Sequence, residues 1–188
     1  MKPASAILPT KYGLFKILIY KSDAVLIMGN IKNQKPVLVR IHSLCLTGDS
    51  FYSLRCDCGW QLQTSMEKIQ KAGRGIIIYL NQEGRGIGLN NKIKAYALQD
   101  KGLDTVDANH VLGLPTDTRD YSPAADILKD LHIQSINLLT NNPRKIDQLE
   151  KYGIAVRKRI PLEVTPNKNN KNYLKTKKEK LGHHLELV

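Results

Sequence analysis

The three cysteines of the chain are the residues best suited to metal chemistry. Ten residues separate Cys45 from Cys56, and a single residue separates Cys56 from Cys58. Catalytic zinc sites use three protein ligands and leave one position for water, whereas structural sites close a tetrahedron with four ligands. Three thiolates without a fourth cysteine therefore favour a catalytic zinc ion, which can bring the pKa of its bound water to about 7.

Two other interpretations of the cysteines stay open at this point. Free cysteines are often small buried hydrophobic residues, and His42 or His110 could complete a closed structural site. The charged neighbours Arg55 and Asp57 make a purely apolar setting unfavourable. Spacing alone does not decide between these alternatives.

A glycine-rich loop, Glu83 to Gly88, lies between a predicted strand and a predicted helix. Glycines in such a loop let backbone N–H groups approach an anion at the start of the helix. The loop lacks both the Gly-Lys-Ser/Thr ending of a P-loop and the dinucleotide G-x-G-x-x-G pattern. It is therefore a candidate phosphate contact, and an ordinary glycine-rich turn is the alternative.

Several basic side chains are predicted at or near strand ends, where open α/β sheets place their ligands. They are Arg40, His42, Arg85, Arg119, Arg144 and Lys145. In Asp117-Thr118-Arg119-Asp120, carboxylates flank an arginine. This arrangement suits either a solvated ion-pair cluster or an acid/base set with an anion clamp.

Length, composition and charge limit the class of protein. The chain has 188 residues, of which 41% are hydrophobic, and this predicts a single globular domain over residues 1–188. Its formal charge of +12 favours polyanionic partners, from nucleic acid to a phosphate-rich small molecule. An odd number of cysteines, no secretory signal pattern and no apolar run of about 20 residues predict a cytoplasmic protein outside the membrane.

The elements that must position these residues alternate between strands and helices. Strands are predicted at Gly13 to Tyr20, Ala24 to Met28, Lys35 to His42, Gly75 to Leu80, Ser135 to Thr140 and Ile154 to Arg159. Helices are predicted from Gln61 to Ala72, from Leu89 to Lys101, after Ser122-Pro123 and from Asn142-Pro143. This order indicates an α/β fold in which helices pack on a mixed sheet with a strand-rich N-terminal part.

The tail from Pro166 is rich in Lys and Asn. Composition alone favours a solvated, partly disordered extension. The alternative is a segment that folds over a site carrying phosphate.

Taken together, five motifs closely resemble GTP cyclohydrolase II, an enzyme of riboflavin biosynthesis. They are Arg40-Ile41-His42-Ser43, Cys45-Leu46-Thr47-Gly48-Asp49, Ser53-Leu54-Arg55-Cys56-Asp57-Cys58-Gly59, Gln82-Glu83-Gly84-Arg85-Gly86-Ile87-Gly88-Leu89 and Leu139-Thr140-Asn141-Asn142-Pro143-Arg144-Lys145. The resemblance spans nearly the whole chain. It includes Asn169-Asn170, Tyr173-Leu174, Thr176-Lys177 and Gly182-His183, which makes a merely disordered tail less expected.

The resemblance implies an enzyme that removes pyrophosphate from GTP, opens the imidazole ring at C8 and releases formate. The product would be a diaminopyrimidinone ribosyl phosphate, made in the first committed step of riboflavin biosynthesis. It further implies one catalytic Zn²⁺ per subunit, Mg²⁺ on the GTP triphosphate and a homodimer. Nucleic acid and membranes are not expected partners.

By position, the resemblance also assigns roles to individual residues. Cys45, Cys56 and Cys58 would ligate zinc, Tyr96 would complete ring hydrolysis and formate release, and Asp117 and Arg119 would act at the α-phosphate. Residues expected to hold the nucleotide are Arg40, Ile41, His42, Ser43, Gln61, Glu83, Gly84, Arg85, Thr105, Thr140 and Lys145. Arginine stays protonated at neutral pH, so Arg119 is either a covalent guanylyl carrier or an electrostatic stabiliser.

Two positions depart from the family pattern. Leu44 stands where a Glu usually precedes the first zinc cysteine, and Asn81 stands where an Arg commonly precedes Gln-Glu-Gly. Leu44 offers no carboxylate, so affinity or rate could be altered, or activity lost. A basic zinc-bearing nucleic-acid binder is the competing hypothesis, and it would bind nucleic acid in a strongly salt-dependent way.

Overall fold

The computed structural model describes residues 2–32 and 36–188. Within them, seven strands form one sheet in the order β1-β2-β3-β5-β4-β6-β7. The strands are β1 Ala4–Thr10, β2 Gly13–Tyr20, β3 Asp23–Met28, β4 Val37–Ser43, β5 Gly75–Leu80, β6 Ser135–Leu139 and β7 Ala155–Ile160. The pairs from β1 to β3 and β5 are antiparallel, whereas β4, β6 and β7 pair in parallel. The predicted α/β class with a mixed sheet and a strand-rich N-terminal part is therefore confirmed.

Seven α-helices accompany the strands in the part of the chain that the structure describes. They are α1 Leu46–Asp49, α2 Cys58–Ala72, α3 Gly88–Gln99, α4 Thr105–Val111, α5 Ser122–Asp130, α6 Pro143–Lys151 and α7 Lys171–Glu179. One turn of 3-10 helix, Glu83–Gly86, precedes α3.

Two apolar clusters cover the sheet. Ile76 and Ile78 of β5 point into the larger cluster, together with Leu128 of α5 and Leu149 of α6. Ile69 of α2 belongs to the smaller cluster on Phe15 and Ile77. A strand buried on both faces needs a continuous apolar run, which is why β5 reads Gly-Ile-Ile-Ile-Tyr-Leu.

Contacts divide the described residues into two compact units, each built from three chain segments. The sheet unit comprises the described residues up to His42, together with Leu62–Asn81 and Tyr121–Leu162. The cysteine unit comprises Ser43–Gln61, Gln82–Asp120 and Glu163–Val188. The expectation of a single domain over residues 1–188 stays a prediction.

The predicted boundaries agree best where turn chemistry is strong. Strand β5 has the predicted bounds, and Asn142 caps α6 because its side chain accepts a hydrogen bond from the backbone N–H of Arg144, at 3.0 Å. Helix α2 begins at Cys58 rather than Gln61. Lys35, the first residue of the strand predicted at Lys35 to His42, lies outside the described residues, and β4 begins at Val37.

Four elements were not predicted: β1, α1, α4 and α7. For the tail, the disorder that composition favours is wrong. Helix α7 forms there, because Leu174, Thr176 and Lys177 are buried on one of its faces. Burial of a few well-placed side chains outweighs the low average hydrophobicity that composition measures.

Candidate active site

The three cysteine sulfurs lie together in the cysteine unit. The Sγ atoms of Cys45, Cys56 and Cys58 are all within 4.8 Å of one another, and those of Cys45 and Cys56 are 3.8 Å apart. Two sulfurs about 2.3 Å from one tetrahedral zinc ion would be separated by about 3.8 Å. Both the thiol donors and their spacing therefore fit a metal ion such as zinc.

Two glycines let the backbone segments that carry the cysteines approach each other. A Cβ atom at Gly48 would lie 2.9 Å from Cys56 Sγ and 3.1 Å from Cys45 Sγ. A Cβ atom at Gly59 would lie only 2.1 Å from the carbonyl oxygen of Gly48. Neither position has room for a side chain. Asp49 further holds the loop, because its Oδ2 accepts a hydrogen bond from the backbone N–H of Cys45, at 3.1 Å.

A buried lysine faces the cysteines. Lys92 Nζ lies 3.1 Å from Cys45 Sγ and 2.9 Å from Glu83 Oε1. Glu83 also accepts hydrogen bonds from the backbone N–H groups of Leu46 and Gly84, each at 2.7 Å. The carboxylate of Glu83 thus joins the glycine-rich loop to the first cysteine and to Lys92.

The electrostatics of the sulfurs are asymmetric. Hydrogen bonds with Cys56 and Cys58, aided by the Lys92 ammonium, lower the pKa of the Cys45 thiol. The hydrogen bond to Cys45 raises the pKa of Cys56 to about 12, and contacts with Cys45 and Cys56 also raise the pKa of Cys58. Burial alone would lower the pKa of Lys92, but the negative charges of Cys45 and Glu83 raise it. Lys92 therefore stays protonated beside the thiolate of Cys45.

Tyr96 lies one helical turn after Lys92 and shares its face of α3. The Tyr96 hydroxyl is 3.4 Å from Thr47 Oγ1, and the Arg55 guanidinium lies 5.0 Å from the centre of its ring. Burial raises the pKa of Tyr96, so its hydroxyl keeps its proton at neutral pH. The side chain is available as a proton donor.

The glycine-rich loop adopts a strained backbone. Gly84 and Arg85 both have positive φ values, 62° and 61°. For Arg85 this conformation is unusual, and such strain persists only where neighbours enforce it. Here the carbonyl oxygen of Arg85 accepts hydrogen bonds from the backbone N–H and the hydroxyl of Thr118, at 3.0 and 3.2 Å. The loop is thereby tied to the segment that carries Asp117 and Arg119.

Asp117 and Arg119 form a bidentate ion pair. Nε and one terminal nitrogen of Arg119 donate to the two carboxylate oxygens of Asp117, at 2.9 and 2.7 Å. The backbone N–H of Arg119 donates to Oδ1 as well, at 3.1 Å. A guanidinium held in this planar fork is oriented and stays charged.

Most of the predicted residues of the cysteine unit line one cavity of about 110 Å³. The predicted residues in its wall are Ser43, Cys45, Cys56, Cys58, Glu83, Gly84, Arg85, Tyr96, Thr105 and Arg119. Leu44, the departure from the family pattern, also lines it. A second cavity of about 640 Å³ shares Gln99, Thr105 and Tyr173 with the first.

Gln61 and Asp117 are not in the cavity wall but contact residues next to it. Gln61 Nε2 donates to Asp57 Oδ2 at 2.6 Å, and Asp57 stands between two of the cysteines. The carboxylate of Asp57 also accepts hydrogen bonds from Lys177 Nζ at 3.0 and 3.2 Å.

The remaining predicted residues lie together in the sheet unit and are buried. Arg40 donates to the carbonyl oxygen of Leu139 at 3.0 Å and lies 3.3 Å from His42 Nδ1. Lys145 Nζ donates to the carbonyl oxygen of Ile41 at 2.6 Å. Thr140, which follows β6, is 1% exposed.

Neither histidine considered as a fourth ligand joins the cysteines. Among the described residues, the group able to hold a metal consists of Cys45, Cys56 and Cys58 alone. His42 stacks on the ring of Tyr79 with centroids 5.4 Å apart, and His110 Nε2 lies 3.4 Å from Thr116 Oγ1. The interpretation as a closed structural site is therefore wrong for these residues.

Four functional candidates were missed from the sequence: Asp57 as an anchor, Lys92, Tyr173 and Lys177. Lys92 could have been found, since its spacing of four residues from Tyr96 places both on one face of a helix. Asp57 was visible between two cysteines. Tyr173 and Lys177 belong to the tail motifs that resemble the family, but the sequence does not show that the fold brings them to the cysteines.

In the described residues, every helix falls short of the length and apolarity needed to cross a membrane.

Comparison with known proteins gives the family. A protein-family model for GTP cyclohydrolase II matches residues 2–161.

Curated relatives agree with this match. The GTP cyclohydrolase-2 of Tolumonas auensis is 55% identical over 188 residues, covering 97% of this chain and 95% of the relative. The GTP cyclohydrolase-2 of Aeromonas hydrophila is 53% identical over 186 residues, covering 96% and 94%. The riboflavin biosynthesis protein RibBA of Endomicrobium trichonymphae is 54% identical over 187 residues, covering 96% of this chain but only 46% of the relative. The chain therefore belongs to the GTP cyclohydrolase II family of enzymes, and it spans about half the length of its RibBA relatives.

Proposed function

We propose that this protein is a zinc-dependent hydrolase that opens the imidazole ring of GTP. It would release formate and pyrophosphate and leave a diaminopyrimidinone ribosyl phosphate, as the first committed step of riboflavin biosynthesis. The observation that carries the proposal is the cluster of three cysteine sulfurs in one cavity wall with Tyr96, in a chain of this family.

Cys45, Cys56 and Cys58 would hold the Zn²⁺ ion, one per subunit, through their Sγ atoms. When bound, zinc would supply a water of lowered pKa as the nucleophile for C8. Three thiolates and one Zn²⁺ carry a net charge of −1, which the Lys92 ammonium offsets at 3.1 Å from Cys45 Sγ. The cavity of about 110 Å³ is smaller than a pocket for a whole ligand, roughly 300–1,000 Å³.

Tyr96 would donate a proton during ring opening. Its hydroxyl stays protonated because burial raises its pKa, and it lines the cavity with the three cysteines. A protonated hydroxyl there is suited to donate to a ring nitrogen as its bond to C8 breaks. This supports its role in completing hydrolysis and formate release.

The residues that would hold the nucleotide are those assigned by resemblance to the family. In the cysteine unit these are Ser43, Gln61, Glu83, Gly84, Arg85 and Thr105. In the sheet unit they are Arg40, Ile41, His42, Thr140 and Lys145. Mg²⁺ would accompany the GTP triphosphate and offset part of its negative charge, since this ion binds substrate phosphates with few protein ligands.

Arg119 would act at the α-phosphate, and its geometry favours the electrostatic role. The bidentate pair with Asp117 holds a charged, oriented guanidinium, whereas a nucleophilic arginine would have to lose its proton. Quenching turnover of GTP labelled on the α-phosphate, followed by peptide mass mapping, separates the two roles. A labelled Arg119 peptide would establish the covalent carrier, and unlabelled peptides support the clamp.

We also propose a cytoplasmic homodimer with one catalytic domain per chain. Sedimentation equilibrium of the purified protein should give twice the chain mass. A monomer that is active at all concentrations would contradict the dimer without affecting the proposed chemistry.

The reaction is tested by identifying the products. Purified protein loaded with zinc is incubated with GTP and Mg²⁺, and the mixture is analysed by mass spectrometry with enzymatic assays for formate and pyrophosphate. We expect equal amounts of formate, pyrophosphate and pyrimidinone product. Absence of all three from folded, zinc-loaded protein would refute the proposal.

A further inference from the structure

A buried ion pair connects the C-terminal helix α7 to the cysteine loop. Lys177 and Asp57 are only 7% and 3% exposed, and the ammonium lies 3.0 and 3.2 Å from the two carboxylate oxygens. Asp57 stands directly between Cys56 and Cys58 in the chain. A buried carboxylate is costly without a cationic partner, so Lys177 determines where this carboxylate can lie.

Asp57 also accepts hydrogen bonds from the side chain and the backbone of Gln61. Its Oδ2 accepts a hydrogen bond from Gln61 Nε2 at 2.6 Å, and its backbone carbonyl accepts one from the backbone N–H of Gln61 at 2.9 Å. Gln61 lies in the first turn of α2, which begins at Cys58. The carboxylate therefore fixes the loop at the start of that helix.

Other residues of the tail contact the same surroundings. Tyr173 lines the cavity with the cysteines, and its ring centre lies 5.3 Å from Lys177 Nζ and 5.8 Å from the Arg85 guanidinium. Leu174 is 2% exposed. Lys180 Nζ pairs with Asp104 at 2.5 Å, next to Thr105 in the cavity wall. The helix is thus packed into the cysteine unit along its length.

This helix lies outside the stretch that the family model matches, which ends at residue 161. The role of Lys177 therefore rests on its contacts. They place a residue 120 positions away in sequence against the metal loop.

We propose that Lys177 is a positioning residue for the metal centre. Through Asp57 it holds Cys56 and Cys58 in the geometry that binds zinc. Helix α7 is then required for the metal-binding geometry of the cysteine unit. The inference rests on the proposed zinc site. Its readouts are metal binding and backbone exchange, so they do not depend on turnover of GTP.

The test compares Lys177→Met with Lys175→Met, a matched control on the exposed face of the same helix. Zinc affinity is measured by competition with a chromophoric chelator, and amide hydrogen exchange is followed over residues 53–60. Residues that support metal ligands typically contribute about 10-fold to 100-fold in affinity. We expect a loss of this size and faster exchange in Lys177→Met, wild-type behaviour in Lys175→Met, and partial recovery in Lys177→Arg.

Two further measurements keep the test decisive if Lys177→Met does not fold. The double variant Asp57→Asn/Lys177→Met removes both buried charges and should fold with weakened zinc binding. In the wild-type protein, removing zinc with a chelator should accelerate exchange in residues 171–179, because coupling between two sites is reciprocal. Unchanged exchange in α7 on zinc removal, or wild-type zinc affinity in either folded variant, would overturn the proposal.

Discussion

At the scale of single residues, Lys92 connects the cysteine cluster to the glycine-rich loop. Its ammonium contacts Cys45 Sγ and Glu83 Oε1 within one buried cluster. A cation in this position stabilises the thiolate form of Cys45 and the carboxylate of Glu83 together. The chemistry of the cysteines thus depends on a residue that is not itself a ligand.

Replacing Lys92 by Met should weaken zinc binding at neutral pH by about 10-fold to 100-fold. Without the ammonium the pKa of the Cys45 thiol rises, so zinc must displace a proton to bind. The measurement is zinc competition at neutral pH, with the exposed Lys94→Met on the same helix as control. Equal zinc affinity in wild type and Lys92→Met would show that the ammonium is not part of the metal centre.

Replacing Tyr96 by Phe should uncouple the two released products. Pyrophosphate release should persist, whereas the rate of formate release should fall by about 100-fold. This is the low end of the rate acceleration that a positioned acid or base contributes. The ratio of formate to pyrophosphate, measured in one reaction, reports this directly. A ratio that stays at the wild-type value would remove Tyr96 from the hydrolytic step.

The clustering of the three cysteines was easier to predict from the sequence than the residues around them. Three cysteines without a fourth are the pattern of an open zinc site, so their type and number carry the signal. Lys92 and Lys177 are ordinary lysines in sequence, and only the fold shows that they are buried. Leu44 lines the cavity, so its apolar side chain faces the candidate site. The sequence alone did not show where this side chain lies.

At the scale of elements, the short helix α1 sets the distance between the two halves of the cysteine motif. It follows Cys45 directly and presents Gly48 to Cys56 and Cys58. The φ of Gly48 is not in the left-handed region, so the requirement for glycine is one of space. Element prediction missed α1 because four residues give no periodicity.

Replacing Gly48 by Ala should disrupt the metal centre while the sheet unit stays folded. The added methyl group would meet Cys56 Sγ at 2.9 Å, and the crowding must separate the sulfurs. We expect zinc content to fall well below that of Ser50→Ala, an exposed position at the end of the same helix. Stoichiometric zinc in folded Gly48→Ala would contradict this packing.

Element boundaries were predictable where side chains carry local information. The apolar run of β5 and the Asn142 cap of α6 are of this kind. Helix α4 begins with a comparable cap, since Asp104 accepts hydrogen bonds from the backbone N–H groups of Val106 and Asp107, yet the segment lacks apolar periodicity. Helix α7 depends on long-range burial and could not be predicted from its composition.

At the scale of the whole molecule, contacts between distant segments determine stability. Tyr20 at the end of β2 donates a hydrogen bond to Asp130 Oδ2 at the end of α5, at 2.6 Å across 110 residues of sequence. Burial and the hydrogen bond to Asp130 raise the pKa of Tyr20 to about 12, above its ordinary value of 10.0. The contribution to folding is therefore complete below pH 10 and is lost as pH rises towards 12.

Replacing Tyr20 by Phe should lower the free energy of unfolding by about 1 kcal/mol at neutral pH, a value discounted for partial exposure. The difference from wild type should shrink between pH 10 and 12, because the wild-type tyrosine then ionises on unfolding. Urea unfolding at several pH values measures it. A difference that is independent of pH would show that the hydrogen bond does not contribute.

The most direct test of the central claim is a zinc titration of activity. Metal-free protein is titrated with Zn²⁺ in the presence of GTP and Mg²⁺, and formate release is recorded together with bound zinc. We predict that formate release rises linearly and stops rising at one zinc per chain, and that Cys45→Ser shows neither tight binding nor release. Full formate release from metal-free protein, or from Cys45→Ser, would contradict the assignment of the three cysteines as the catalytic zinc site.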